Sequence, residues 1–379
     1  MRSSLHIIHI LQGKANPETL NGVNRVVHWM ATSQVRQGHE VEVWGLSASP
    51  TLPPHLREYK LRVFLVTRLR VTLGSELKVA LRQLEPGAWV HFHSVFIPEF
   101  PAISRWLKNH GFAYGVTPHN GYAPGVFRKN PWKKRFYVAL REAKYLRNAA
   151  WIQVVGQTEI QDIRRIAPQA RLVPIPNGQT LLEAHPEPLS SQVQRPLIVF
   201  CGRLHTQSKG LDFLIDGFAA YKAKGGSGEL WVIGDGENRA ELERQAVQRG
   251  VQAQIHFLGV KTGEDKLNLV ASCDAFIHSS RWEGLPMTCL EAAALGRPLL
   301  VSSETNLGEY IERSGAGLVL DETSAAGVER ALDRAQHLYE CHELEKMGEN
   351  ARSMIAKEFS WGDNARSFAA AIAAANHDV

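Results

Sequence analysis

The sequence predicts an α/β protein of two doubly wound domains, each a parallel sheet with helices on both faces. Three observations point there. Short β-branched runs alternate with helical stretches along nearly the whole chain, as strands joined by right-handed crossover helices require. These runs form two series, separated at 179–196 by a stretch with three Pro, three Ser/Thr and no periodic element. At 379 residues the chain is long enough for two ordinary domains, and its 44% hydrophobic and 21% charged residues exclude a disordered, collagen-like or coiled-coil chain.

Leu5–Leu11 opens the first series as a buried strand, too short and too His-rich for a secretory leader. Val23–Arg36 follows as a helix, and strands Glu40–Leu46, Trp89–His93, Ala113–Thr117, Trp151–Val155 and Arg171–Ile175 complete the set. The second series has strands Leu197–Cys201, Glu229–Ile233, Gln254–Leu258, Ala275–His278 and Pro298–Ser302, with helices at Glu237–Arg249 and Met287–Leu295. After Ala325 the pattern is wholly helical and ends in the Ala-rich Trp361–Ala375. The expected domains are 1–178 and 197–360, with 179–196 as linker. No apolar run approaches the roughly 18 residues of a membrane span. Cys201, Cys273, Cys289 and Cys341 lie far apart with no CxxC pair. That argues against a disulfide scaffold or zinc cluster and for buried thiols in a reducing, cytoplasmic compartment.

Charge divides the halves. Residues 1–180 carry 24 basic and 10 acidic side chains, a net +14, while the remainder carry 19 and 28, a net −9. The basic half would favour phosphates, nucleic acid or an anionic membrane.

Doubly wound domains bind ligands beyond the C-terminal ends of their strands, so the informative residues follow strands. The stretch Ser279–Ala292 leaves the strand Ala275–His278 and opens a helix, with Pro286 in its first turn. The N–H groups of Met287 and Thr288 then sit at the positive end of the helix dipole, a ready anion site. Glu283 lies just outside that helix and Glu291 inside it, interrupting an otherwise apolar face. In the second stretch, Val199–Asp212, Gly202 makes a turn and a helix opens near Ser208. Arg203 and Lys209 there would be two cations at the same rim, suited to a diphosphate.

These residues resemble the retaining glycosyltransferases of the GT-B fold called family 4. Glu283 and Glu291, with Gly284-Leu285-Pro286 between them, match that family's E-x7-E motif, and Gly202-Arg203 with Lys209-Gly210 match its G-R…K-G motif. Further matches are Asn21-Gly22 (where many members have Gly-Gly), Gly38–Val41, Pro176–Gly178, Gly234–Gly236, Phe257–Gly259 and Phe359–Trp361.

The resemblance implies the GT-B fold, with two Rossmann-like domains facing a cleft and the helix at about 361–379 crossing back to the first. Arg203 and Lys209 would hold the donor pyrophosphate with the N–H groups around Leu285, Met287 and Thr288, and Glu291 would take the ribose hydroxyls. Glu283 would face the donor sugar near the reacting carbon, and Gly234 and Val260 would line the base. Gly22 would close over the phosphates, and His119 would touch the transferred sugar.

The activity implied is transfer from a nucleoside-diphosphate sugar (UDP ahead of GDP) to an acceptor hydroxyl with retention, in polysaccharide, lipopolysaccharide or glycolipid assembly. No cofactor or metal is expected, since Arg and Lys can neutralise the diphosphate. His91 and His93 share one strand face without an evident third ligand.

The segment 130–147 reads as one helix, with Trp132, Phe136, Ala139, Ala143 and Leu146 on an inward apolar face. Lys133, Lys134, Arg141 and Lys144 fall opposite, a basic stripe for an anionic inner-leaflet surface and a lipid-linked or glycan acceptor. The alternatives are an epimerase or phosphorylase of the same fold, or a catalytically silent sugar-nucleotide-binding subunit. A nicotinamide dehydrogenase is disfavoured because Gln12-Gly13-Lys14 replaces a G-x-G-x-x-G turn. Nucleic-acid binding lacks any recognised module.

Overall fold

The computed structural model describes residues 4–17, 19, 21–49, 51–52, 57–66, 72–128, 130–186 and 189–377. The chain divides into two compact units, Met1–Gly178 with Trp361–Val379, and Gln179–Ser360.

The first unit runs β1 (His6–Gln12), α1 (Gly22–Arg36), β2 (Glu40–Ser47), β3 (Lys60–Leu65), α2 (Ser75–Arg82), β4 (Trp89–His93) and α3 (Phe100–Asn109). It continues through β5 (Tyr114–Thr117), α4 (Pro131–Tyr137), α5 (Ala143–Arg147), β6 (Trp151–Val154), α6 (Gln157–Ile166) and β7 (Leu172–Pro174). These strands form a parallel sheet in the order β3-β2-β1-β4-β5-β6-β7. Strands β4, β5 and β6 are buried along their whole length. Helices cover both faces, and that is why even the polar His91, His93, Thr117 and Gln153 of these strands are buried and hydrogen-bonded inside. Asn21 starts α1, its side chain accepting from the Val23 N–H.

The second unit runs β8 (Leu197–Cys201), α7 (Thr206–Lys209), α8 (Leu211–Ala223), β9 (Glu229–Ile233), α9 (Arg239–Gln248), β10 (Ile255–Gly259), α10 (Gly263–Ala271) and β11 (Ala275–His278). It closes with α11 (Met287–Ala294), β12 (Leu299–Val301), α12 (Gly308–Ser314), β13 (Gly317–Val319), α13 (Ala325–Glu340) and α14 (Glu343–Glu358). Its parallel sheet has the order β10-β9-β8-β11-β12-β13. Each sheet therefore reverses strand order once, between β1 and β4 and between β8 and β11, where doubly wound folds place their ligands.

The C-terminal helix α15 (Trp361–His377) packs into the first unit. Gly178 lies against the Trp361 ring, closely enough that a Cβ there would clash with it. Asn364 Nδ2 donates to the Pro176 carbonyl at 2.9 Å. Phe368 is fully buried against His9, His91 and Trp151.

The structure adds strands and alters one helix. β3 and β13 are strands that the sequence pattern does not reveal. Both are sheet edges, β3 carrying Lys60 and Arg62 and β13 only three residues long. The segment 130–147 is not one α-helix: a π-helical turn, Val138–Glu142, separates α4 from α5.

That wider turn admits an extra residue and rotates the faces. Val138, Glu142, Tyr145 and Leu146 point inward, whereas Trp132, Phe136 and Leu140 are 78%, 68% and 60% exposed. The expected inward apolar face is thus split: Trp132, Phe136 and Ala139 are exposed, Ala143 is half-buried and only Leu146 is buried as expected. Lys134 also leaves the basic stripe, since it is half-buried and donates to the Val126 carbonyl at 2.6 Å. Of the four thiols, Cys201, Cys273 and Cys289 are buried as expected, but Cys341 is exposed.

Candidate active site

In the second unit the site is built where β8 and β11 diverge. After β11 the chain runs Ser279-Ser280-Arg281-Trp282-Glu283, and Arg281 fixes its course. The Arg281 guanidinium forks onto Asp212 at 2.8 and 2.5 Å, donates to the Thr206 carbonyl at 2.6 Å and lies 3.7 Å over the Phe213 ring. The Arg281 N–H donates to the Ser208 carbonyl at 2.8 Å. The two glycine-marked loops are thereby riveted together. At Gly210, φ is +62° and a Cβ would stand 2.2 Å from the Ser279 carbonyl oxygen, so only glycine allows this approach.

The result is an ion pair between Lys209 and Glu283, whose side chains are 17% and 23% exposed. Burial works to raise the Glu283 carboxyl, but the Lys209 charge and His278 outweigh it and hold the carboxyl near about 2. His278 ends β11, fully buried and stacked on Phe200, with Nε2 3.7 Å from Glu283. Neither of its ring nitrogens has a hydrogen-bond partner among the described residues. Burial, with Lys209 nearby, lowers its pKa, so the ring is neutral beside a carboxylate. Asn306 Nδ2 supports the loop from behind, donating to the carbonyls of Glu283 and Gly284 at 2.9 and 2.7 Å.

Pro286 is the N-cap of α11, one residue ahead of the first turn in which the sequence places it. Met287 and Thr288 open the helix, and first-turn N–H groups have no helical acceptor. Glu291 is on the same helix, buried, with both oxygens on Lys266 Nζ of α10 at 3.0 and 2.9 Å.

Arg203 is exposed and makes no ion pair among the described residues. Gly234 (φ +133°) abuts the Gly202 carbonyl, and Val260 is exposed just past β10. Leu285 is buried ahead of α11.

In the first unit, a cavity of about 780 Å³ opens at the ends of β1, β2 and β4. Its lining includes Lys14, Asn16, Asn21, Asn24, Ser47 and His93. Gly22 opens α1 beside it with nothing within 4 Å of where a Cβ would stand. His119, after β5, has a left-handed backbone (φ +52°) and hydrogen-bonds His93 at 3.1 Å.

Sequence reasoning did not single out Lys266, His278 or the Arg281–Asp212 pair. His278 had a signal, as the last residue of a strand at the reversal point. Lys266 had none, because it sits on a separate helix and meets Glu291 only through the fold.

Residues 183–354 match the family model described as glycosyl transferases group 1, and residues 21–178 match one described as glycosyl transferase 4-like domain. The lipopolysaccharide core biosynthesis glycosyltransferase LpsE of Rhizobium meliloti is 31% identical over 147 residues, 38% of this chain and 41% of that one. The alignable stretch is thus less than half the length of that curated relative.

Among solved structures, sucrose-phosphate synthase from Thermosynechococcus elongatus has a TM-score of 0.78 at 17% identity, over 99% of this chain and 100% of the other. Anabaena HepE in complex with UDP has a TM-score of 0.72 at 13% identity, over 98% and 100%. At such identities the likeness is one of fold. No helix among the described residues is long and apolar enough to cross a membrane.

Proposed function

The chain belongs to the glycosyltransferases of the GT-B fold, and from that premise we propose that it transfers a sugar from a nucleoside diphosphate to an acceptor hydroxyl with retention of configuration. The observation that carries this reading is the Lys209–Glu283 pair, set just ahead of the N-terminus of α11. As the bond from the anomeric carbon to the diphosphate oxygen breaks, its electron pair goes to the diphosphate. Lys209 and the N–H groups of Met287 and Thr288 are preorganised for that charge, with the exposed Arg203 as a further cation. Glu283, held ionised by Lys209, faces the positive charge that develops on the sugar carbon. The acceptor hydroxyl bonds to that carbon and its proton leaves with the diphosphate, so no protein base is required.

Glu291 takes the ribose hydroxyls, with Lys266 holding its carboxylate in place. Gly234, Val260 and Leu285 border the nucleotide, Gly22 approaches its phosphates, and His119 contacts the sugar. UDP is the favoured donor; HepE, whose fold this chain shares, holds UDP. No metal or cofactor enters the scheme. The cavity at β1, β2 and β4, where Lys14, Asn16, Asn21, Asn24 and Ser47 stand among apolar side chains such as Leu46 and Ile97, suits a polyhydroxylated acceptor. The outward Trp132, Phe136 and Leu140, with exposed Lys133, Arg135, Arg141 and Lys144, suit an anionic membrane carrying a lipid-linked acceptor in glycan assembly.

A panel of nucleoside diphosphates and their sugars, read by thermal shift, tests the donor. A ligand at a hundredfold its Kd stabilises by about 2.7 kcal/mol, so UDP and a UDP-sugar should raise the melting temperature by several degrees. No stabilisation by any nucleoside diphosphate would remove the reading.

A further inference from the structure

Three histidines and one amide form a single hydrogen-bonded line through the first unit. His9 lies mid-strand in β1, His93 ends β4 and His119 follows β5. His9 Nε2 is 2.7 Å from Gln34 Oε1 of α1, and His9 Nδ1 is 2.8 Å from His93 Nε2. His93 Nδ1 is in turn 3.1 Å from His119 Nε2. Burial keeps all three rings neutral, lowering His9 and His119 to about 4 and His93 well below the usual range.

A neutral imidazole has one N–H and one lone pair. A ring bonded at both nitrogens must donate at one and accept at the other, so the line has only two possible directions. Its far end chooses between them. In the structure the Gln34 amide turns Oε1 to His9 and leaves its Nε2 without a partner among the described residues. In that orientation Oε1 accepts, so His9 carries its proton on Nε2 and accepts at Nδ1 from the His93 Nε2–H. His93 then accepts at Nδ1 from the His119 Nε2–H. His119 is left with a bare Nδ1, and it alone of the four residues is not fully buried.

We propose that Gln34, His9 and His93 are positioning residues whose line of hydrogen bonds holds His119 in its Nε2–H tautomer, so that Nδ1 accepts a hydrogen bond from a hydroxyl of the transferred sugar. The second half rests on the reading of His119 as a sugar contact.

The backbone is held for the same purpose. His119 and Asn120 are both left-handed (φ +52° and +59°), a conformation that persists only where its surroundings impose it. Glu159 imposes it, accepting from the Asn120 N–H at 2.5 Å and the Val155 N–H at 2.9 Å.

A second line runs beside the first and ends in the core. The Ile175 carbonyl accepts from Gln153 Nε2 at 2.8 Å, and Gln153 Oε1 accepts from the Thr117 hydroxyl at 2.8 Å. Thr117 Oγ1 then accepts from His91 Nε2 at 2.7 Å, and His91 Nδ1 meets no partner among the described residues. His91 is thus an equally buried control that touches neither Gln34 nor His119 by hydrogen bond.

The test is a long-range ¹H–¹⁵N correlation spectrum of the full chain labelled with ¹⁵N-histidine, at neutral pH. His9, His93 and His119 should each show a protonated Nε2 and a bare Nδ1. Gln34→Leu removes the terminal acceptor, and His119 should become a mixture of tautomers with turnover reduced about two- to tenfold, the worth of one hydrogen bond. Gln34→Met, similar in length with a sulfur that can only accept, should keep the wild-type pattern and most of the turnover. His91→Phe should leave the His119 tautomer unchanged.

An N–H on His119 Nδ1 in the wild type, an unchanged spectrum in Gln34→Leu, or an equal shift in His91→Phe each overturns the proposal. The expected spectra together with normal turnover by His119→Phe would overturn the sugar contact alone and leave the tautomer line standing.

Discussion

Lys209 and Glu283 neutralise each other in a pocket that leaves each side chain less than a quarter exposed. Removing one partner strands a charge where solvation is poor, and such losses exceed those of surface pairs. Lys209→Ala should therefore lower stability by about 1–3 kcal/mol, the cost of leaving a partly buried polar group unpaired, as well as weaken the donor. The double variant Lys209→Ala/Glu283→Gln should recover most of the stability and none of the turnover. Arg203→Ala should leave the melting temperature unchanged and weaken the donor about ten- to a hundredfold, because a charge-assisted hydrogen bond contributes roughly 1.5–3 kcal/mol. Chemical denaturation and nucleotide titration of the four proteins decide this. Equal stability in Lys209→Ala and the wild type would contradict the pairing. Lys209, Glu283 and Glu291 could be singled out because they lie in the stretches that lead from β8 to α8 and from β11 through α11. Their partners could not. Lys266 and Arg281 act through tertiary neighbours, which no spacing along the chain encodes.

The segment from α4 to α5 shows where periodicity fails at the scale of the element. A fixed advance of 100° per residue places Trp132, Phe136 and Leu146 together. The π turn between them breaks that register and seats Glu142 inward, where it accepts from the Tyr122 hydroxyl and from the Phe96 N–H at 3.2 Å. Burial pushes this carboxyl up to about 7. Nothing in the residue order marks such a turn, so the helix was legible and its faces were not. The consequence for membrane binding is specific. Basic side chains near an anionic surface contribute about 1 kcal/mol each, and that attraction fades as the Debye length falls from about 10 Å at 0.1 M salt to 3 Å at 1 M. Burial of exposed Trp132, Phe136 and Leu140 does not fade with salt. Vesicles with anionic lipid should therefore retain part of the protein at 1 M salt and shift the tryptophan emission to the blue. Changing Trp132, Phe136 and Leu140 to Ser should abolish the salt-resistant part. Changing Lys133, Arg135, Arg141 and Lys144 to Ser should abolish the preference for anionic over neutral vesicles. Binding that vanishes wholly with salt would show that the apolar residues stay out of the bilayer.

Across the whole molecule, central parallel strands were the most legible feature, because burial on two faces makes them short, mostly apolar runs that stand out from the helices around them even where His or Gln interrupts them. Strands β3 and β13 lack that signature, since β3 interleaves Lys60 and Arg62 with its apolar residues and β13 has only three residues, whereas the other two edges, β7 and β10, were foreseen. The last helix could be seen as helical but not placed by its own pattern; its place follows from what it buries. Phe368 is fully enclosed by His9, His91 and Trp151, and Ala365 and Ile372 are buried on the same helix. The end of the chain thus completes the core of the first unit, whereas the second has its own six-stranded sheet and core. Phe368→Ala should leave a cavity costing about 3–5 kcal/mol, and that cost should fall on one unit only. In calorimetry of the full chain, the transition of the first unit should move down while that of the second stays in place. UDP should identify the second transition by raising it, since Lys209, Glu283 and Glu291 all lie in that unit. A single transition that moves as one in Phe368→Ala would show that the two units unfold together, and the assignment of α15 to one core would then lose its energetic meaning.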